Sequence, residues 1–287
     1  MKKYPLLFLL ALLFTPLFGQ QHSLVYDDLS MDSEILGETR KYAVYLPPGY
    51  HESQRSYPVL YLLHGLGDDQ TGWIQFGEVQ RIVDTSLQNT DVTEMIIIMP
   101  DADTTVKGYF NSPDDQWRYE DFFFEELIPH VEKKYRIKSQ KRFRAIAGLS
   151  MGGGGSLMYA MHHPELFSAA CPLSAYVGPL SFENFQNRFK ESLKNVDLNT
   201  QHTYYSNHNA LELTKNLSSE TLKSVRWYID CGDDDFLYEG NSLLHIAFTK
   251  KQIPHQYRVR DGAHTWTYWR SSLPEVLLFV SQSFHQY

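Results

Sequence analysis

Phe143-Arg144-Ala145-Ile146-Ala147-Gly148-Leu149-Ser150-Met151-Gly152-Gly153-Gly154-Gly155 is the stretch on which the fold turns. Phe143 to Leu149 reads as a buried strand, and a helix follows from about Met151. Ser150 falls at the junction, in G-x-S-x-G spacing. Glycines flank it because a strand that turns sharply into a helix brings two backbones close together. Such a turn lifts the Ser150 hydroxyl into a cleft and aims the helix N-terminus at the reaction. Ser150 is therefore a candidate nucleophile.

The rest of the chain alternates strand and helix patterns. Ser23 to Leu46 reads as two strands, closed by Pro47-Pro48-Gly49. Tyr57 to Leu63 is a strand followed by the turn His64-Gly65-Leu66-Gly67. Met95 to Met99 is wholly apolar, as a parallel strand covered on both faces should be. Glu120 to Tyr135 carries Phe123, Leu127 and Val131 on one helical stripe. The helix after Ser150 runs to about His162. Ala169 to Leu173, Val225 to Cys231 and Gln256 to Arg260 read as strands, Asn241 to Lys251 and Trp266 to Phe284 as helices. This order predicts a single α/β domain over residues 20–287, built on a mostly parallel, doubly wound sheet. Residues 176–223 break the rhythm, being polar and weakly periodic between two core strands. They are expected to form a cap or lid-like insertion over the C-terminal edge of the sheet, where ligands bind in open α/β folds.

The N-terminus reads as an export signal. Lys2 and Lys3 precede the short apolar core Leu6 to Phe14, and Pro16 and Gly19 mark a cleavage region, with cleavage expected after Gly19. The core is too short to span a bilayer, and no cysteine stands near the cleavage site for lipid attachment, so no membrane anchor is expected. The product would be periplasmic or extracellular. A formal net charge of −8 argues against nucleic acid or an anionic membrane as partner. Cys171 and Cys231 fall in apolar runs and read as two buried free thiols. No cluster of histidine, cysteine and carboxylate has metal-ligand spacing, and the adjacent Asp68 and Asp69 read as a solvated turn, so neither metal nor cofactor is expected.

A serine hydroxyl needs a base and an orienting acid. On such a sheet these follow the nucleophile in the order acid, then histidine. Cys231-Gly232-Asp233-Asp234-Asp235 and Gly262-Ala263-His264-Thr265-Trp266 each lie just past a strand, on the edge that presents Ser150. His264 is the candidate base. His130, His162, His163 and His245 fall within predicted helices, and His255 precedes its strand instead of following it. Spacing alone does not choose among the three aspartates; Asp235 is preferred, with Asp233 second. The oxyanion would be held by the backbone amides of Met151 and of Leu66. His64 is expected to hydrogen-bond its own loop. Trp73 and Trp269 are candidate substrate-binding residues, with a place in the core as the alternative.

These residues together resemble the esterase family that includes esterase D, the feruloyl and acetylxylan esterases of carbohydrate esterase family 1, and the mycolyltransferases. The likeness covers most of the chain after the signal. It runs through Tyr45-Leu46-Pro47-Pro48-Gly49-Tyr50, Leu62 to Gly67 with Trp73, Met99-Pro100-Asp101, and Tyr119-Glu120-Asp121. It continues through Ala147 to Gly153, Cys231-Gly232 to Asp235-Phe236, and His264-Thr265-Trp266. The resemblance implies the α/β-hydrolase fold, with the acid where Asp235 stands. Two features depart from common members. Gly154 and Gly155 extend the glycine run, and Tyr109-Phe110-Asn111-Ser112 lacks the tryptophan often found in that loop.

The expected function is that of a secreted serine carboxylic-ester hydrolase. It would remove feruloyl or acetyl groups from plant cell-wall polysaccharide such as xylan, through an acyl-enzyme. The partner would then be an acylated oligo- or polysaccharide. The alternatives are an S-formylglutathione hydrolase-like thioesterase, against which the export signal argues, and an acyltransferase to a sugar hydroxyl. A non-catalytic carbohydrate-binding protein on a hydrolase scaffold is the reading from another class; the intact set of chemical groups argues against it.

Overall fold

A computed structural model describes residues 22–105 and 107–285. The export-signal reading of residues 1–19 lies outside them. The frame is one eight-stranded sheet in the order β1-β2-β4-β3-β5-β6-β7-β8. The strands are β1 (Leu24–Ser33), β2 (Glu38–Leu46), β3 (Val59–Leu63), β4 (Ile96–Pro100), β5 (Arg144–Leu149), β6 (Ala169–Leu173), β7 (Arg226–Gly232) and β8 (His255–Arg260). β1 and β2 pair antiparallel, as do β2 and β4; every other pairing is parallel. This is the α/β-hydrolase arrangement.

β3 to β6 are buried along their whole length because both faces of the sheet are covered. Alternate residues feed separate cores. Tyr61, Leu63, Ile98 and Ile146 pack with Phe123, Leu127 and the helix Ser150–His162 on one face. Leu60, Leu62, Ile97, Ala145 and Ala147 pack on the other face against the helices Val79–Asn89 and Trp266–His285. Among the described residues no helix is long and apolar enough to cross a membrane. Cys171 and Cys231 are both buried free thiols.

The predicted single helix over 120–135 is divided. Tyr119–Asp121 is α-helical, Phe122–Leu127 forms a π-helix and Ile128–Lys134 returns to α. The Ile128 amide reaches back to the Phe123 carbonyl, five residues away. Pro129 has no N–H to continue the α pattern at that point. The wider turn lets Phe122 and Phe123 both enter the core while Phe124 packs on His163.

Residues 176–223 form four short helices, Phe182–Arg188, Leu198–Asn207, Ala210–Asn216 and Ser219–Lys223. Each starts on a side chain that accepts from amides of the first turn, namely Ser181, Asp197, Asn209 and Ser218. The segment leans on the body at Tyr204, whose hydroxyl donates to the Asn111 carbonyl, and at His208, which packs edge-on against Phe110.

Gly154, one of the two extra glycines, is where the helix Ser150–His162 meets the root of this segment. A Cβ there would stand 2.3 Å from the Tyr176 carbonyl oxygen. Backbone cannot step aside as a flexible side chain can. We expect Gly154→Ala to cost about 1–3 kcal/mol, read as a lower urea midpoint with an unchanged slope. A variant as stable as the parent would show that the junction is slack.

Candidate active site

β3 leads to β4 on one side of the sheet and β5 leads to β6 on the other, so the chain parts at the C-terminal ends of β3 and β5. That crevice is the ligand position of open α/β sheets. The parallel register puts Leu63 beside Gly148. Ser150 follows directly, with φ of +55°, in the left-handed region that a residue with a side chain rarely occupies. Leu149 before it is extended, and the helix Ser150–His162 begins at once. A Cβ on Gly148 would lie 2.3 Å from the Gly152 carbonyl oxygen, so the turn closes only over glycine.

His264 is brought to this serine by the loop after β8. Its Nε2 lies 2.9 Å from Ser150 Oγ. Its Nδ1 lies 3.0 and 2.9 Å from the two carboxylate oxygens of Asp235. A carboxylate only accepts, so Nδ1 carries the proton and Nε2 is the free base facing the hydroxyl. Asp235 is buried. Burial alone would raise its pKa, but hydrogen bonds from His264, Ser174 and the Leu237 amide outweigh that cost and hold the carboxyl below its usual range. The three neighbouring aspartates thus separate. Asp235 faces His264, while Asp233 accepts from the Gly262 amide at 3.0 Å and shapes the histidine loop. Among the described residues the one grouping with metal-ligand proximity is Asp233, Asp234 and Asp261, all exposed.

The turn carrying Leu66 is pinned from several sides. His64 Nδ1 donates to the Gly65 carbonyl at 2.9 Å, and the Ala102 amide donates to His64 Nε2 at 3.2 Å. Thr104 Oγ1 donates to the same Gly65 carbonyl at 2.7 Å and accepts from the Gly67 amide at 3.1 Å. His64 is thus neutral, and burial pushes its pKa down. Its role is to hold the loop. The Gly65–Leu66 segment runs past Ser150, since a Cβ on Gly65 would be 3.6 Å from that of Ser150. The Met151 amide stands at the start of the nucleophile helix, where unpaired N–H groups and the helix dipole favour negative charge. An oxyanion formed at Ser150 therefore has a donor-bearing segment on either side of it.

Neither tryptophan lines an open cleft. Trp73 is 1% exposed and donates its indole N–H to the Leu63 carbonyl at 3.0 Å; it is a core residue. Trp269 is 5% exposed, stands edge-on to His264 and donates to Ser174 Oγ at 3.0 Å. It packs as a core residue against the His264 ring. The open wall is made elsewhere. Phe236 is 71% exposed, and its ring centroid lies 4.4 Å from that of His264. Tyr176 donates its backbone N–H to the Ser150 carbonyl at 3.0 Å. Together with Leu180, Asn184, Arg188 and Leu237 they line a cavity of about 320 Å³. Phe236, immediately after the acid, could have been found from its position alone; Tyr176 and Arg188 carry no such signal.

The family model described as "Putative esterase" matches residues 33–280. A solved ferulic acid esterase superposes with a TM-score of 0.82 at 35% identity, covering 92% of this chain and 99% of that one. An endo-1,4-beta-xylanase/feruloyl esterase of Xylanibacter ruminicola is 34% identical over 47% of this chain and 19% of its own length. An esterase of Mycobacterium tuberculosis is 36% identical over 48% of this chain and 29% of its own length. The chain thus matches less than a third of the length of these two curated relatives.

The geometry separates the aspartates by experiment. Asp235→Asn should lower kcat on a simple activated ester by roughly a thousandfold or more, because the base then loses its orienting carboxylate. Asp233→Asn should stay within a few-fold of the parent. Equal losses in the two variants would remove Asp235 from its place behind His264.

Proposed function

Since the chain belongs to this esterase family, we propose that it is a serine carboxylic-ester hydrolase acting on acylated plant cell-wall polysaccharide. The ester group would be feruloyl or acetyl, with export through the N-terminal signal. The observation that carries the reading is the continuous line Ser150 Oγ, His264 Nε2, His264 Nδ1, Asp235. The likeness along nearly the whole length of a ferulic acid esterase supports the choice of ester.

In this mechanism Ser150 Oγ attacks the ester carbonyl as its proton passes to His264 Nε2. The new oxyanion is met by the Leu66 and Met151 amides, donors already fixed before the reaction begins. Asp235 stabilises the imidazolium that forms. The tetrahedral intermediate collapses, the sugar hydroxyl leaves with the proton from His264, and the acyl group stays on Ser150. Water then attacks the acyl-enzyme, giving its proton to His264, and the carboxylic acid departs as Ser150 is reprotonated. Phe236 and Tyr176 flank the reacting groups and offer aromatic faces to an aryl acyl group or a sugar ring.

The experiment measures ferulate and acetate released from arabinoxylan oligosaccharides by the parent and by Ser150→Ala. Ferulate release that falls at least about a thousandfold in the variant is the expected result. Acetate alone would identify a deacetylase. Cleavage of an activated ester through Ser150 with neither acid released would leave the serine chemistry standing and remove the polysaccharide assignment. Rapid turnover of S-formylglutathione in that case would supply the replacement.

A further inference from the structure

The nucleophile helix begins at Ser150 and ends at His162. The far end is where one helix of the cap is fastened. His162 Nδ1 lies 2.6 Å from Glu120 Oε1, and its Nε2 lies 2.7 Å from the carbonyl oxygen of Asn207, the last residue of the cap helix Leu198–Asn207. A carboxylate and a carbonyl are both pure acceptors. A neutral imidazole has one N–H and would set a lone pair against one of them; only the imidazolium satisfies both.

That cap helix needs such a fastening. None of its ten residues is buried, so no apolar core holds it down. Its other ties include the Tyr204 hydroxyl on the Asn111 carbonyl, the stack of Tyr204 on His208 and the packing of Tyr205 on Phe182 and Phe185. The helix in turn supports Phe182–Arg188. Phe182 stacks on His202 with centroids 3.7 Å apart, Phe185 packs on Tyr204, and Gln186 donates to Gln201. Asn184 and Arg188, on that second helix, are walls of the cavity that Tyr176 and Phe236 also line.

We propose that His162, as an imidazolium, is a positioning residue for this enzyme: it latches the cap helix Leu198–Asn207 to the body, steadies through it the cavity wall that carries Asn184 and Arg188, and releases it on deprotonation. The proposal rests on the reading of that cavity as the place where substrate is held. The surroundings agree with a charged His162. From the segment 112–134 it faces Glu120, with Asp115, Asp121 and Glu125 around a second, separate cavity at this far end of the helix; from its own helix end comes His163, paired with Glu165; from the cap, Tyr204 and His208. Burial lowers the pKa of His162, but hydrogen bonding to Glu120, its negative charge and the Asn207 carbonyl outweigh this and raise it overall. Burial and then the His162 charge push His208 down to about 4, so it stays neutral and donates to the Tyr204 carbonyl. Burial opposes the charge on Glu120, yet its histidine partners bring it down to about 2. A raised histidine pKa gives a latch that is complete below its ordinary value of about 6.5 and fades as pH climbs through the raised one.

Two measurements on the full chain test this between pH 6 and 9. The first is hydrogen exchange of the amides of residues 198–207, corrected for the intrinsic pH dependence. In the parent it should accelerate by roughly tenfold or more as His162 loses its proton. In His162→Gln it should be fast and flat with pH. The second is KM for methyl ferulate, which should rise over the same range, while turnover of p-nitrophenyl acetate, too small to need the cap, keeps one profile in parent and variant. Glu120→Gln should reproduce His162→Gln and serves if the latter fails to fold. Parental exchange that is flat with pH, or a variant that keeps the parental profile, overturns the latch. Exchange that behaves as expected with no turnover of methyl ferulate leaves the latch standing and removes only the reading of the cavity.

Discussion

The backbone at Ser150 is the constraint on which the site depends. A left-handed φ on a residue with a side chain costs on the order of 1–3 kcal/mol, and it persists only because the surroundings leave no other path. Gly148 and Gly152 touch at a distance that excludes a side chain. The Ser150 carbonyl is meanwhile held by the Tyr176 amide. One tight turn therefore sets the position of the hydroxyl, the direction of the helix amides and the place where the cap takes root. Relaxing it would displace all three together.

The base and acid arrive by a different route, through the far strands of the sheet. β7 and β8 run in register to Gly232 and Arg260, so their following loops start side by side. Asp230, fully buried within β7, ties these strands to the closing helix Trp266–His285 through Tyr228, Tyr268 and Arg260. Desolvation dominates there, and the Asp230 carboxyl sits above its ordinary range despite its partners. Asp235 lies five residues further on and is also buried, yet its carboxyl lies below that range. The same residue type is spent on two tasks. One braces the packing between strands and helix, the other holds the imidazole in the tautomer whose free Nε2 faces Ser150 Oγ.

The central sheet and the line of three chemical groups were legible because their signals are local. An apolar run in β5, a glycine pair at the turn, and polar residues just beyond β7 and β8 each mark a place on the same edge. The aspartates could not be told apart by spacing, because the choice rests on which carboxylate turns inward and which bonds the Gly262 amide. The two tryptophans could not be assigned between cleft and core for a related reason. An aromatic beside a catalytic motif can face the cleft or back the base, and the direction is set by the carbonyl of Leu63 and the hydroxyl of Ser174, both distant in sequence. The helix Val79–Asn89 went unread although Val79, Ile82, Val83 and Ser86 keep helical spacing. It starts from Glu78 in left-handed backbone, with no side-chain cap to announce it.

The cap shows where this kind of reading thins out. Its helices are short and announced by capping residues, yet the helix that bears most on its position has no buried face to give a periodic signal. Polar and aromatic contacts made across the fold hold it instead, and the residues that make them, Glu120, His162 and Asn111, belong to other elements. This helix can change its surface without disturbing the sheet, because none of its residues is buried, whereas Ala210, Leu213 and Leu222 further along the segment do enter the core. The same economy leaves it dependent on a few charge-assisted hydrogen bonds. The line Ser150, His264, Asp235 therefore rests on tightly packed backbone, whereas the helix Leu198–Asn207 rests on polar and aromatic contacts.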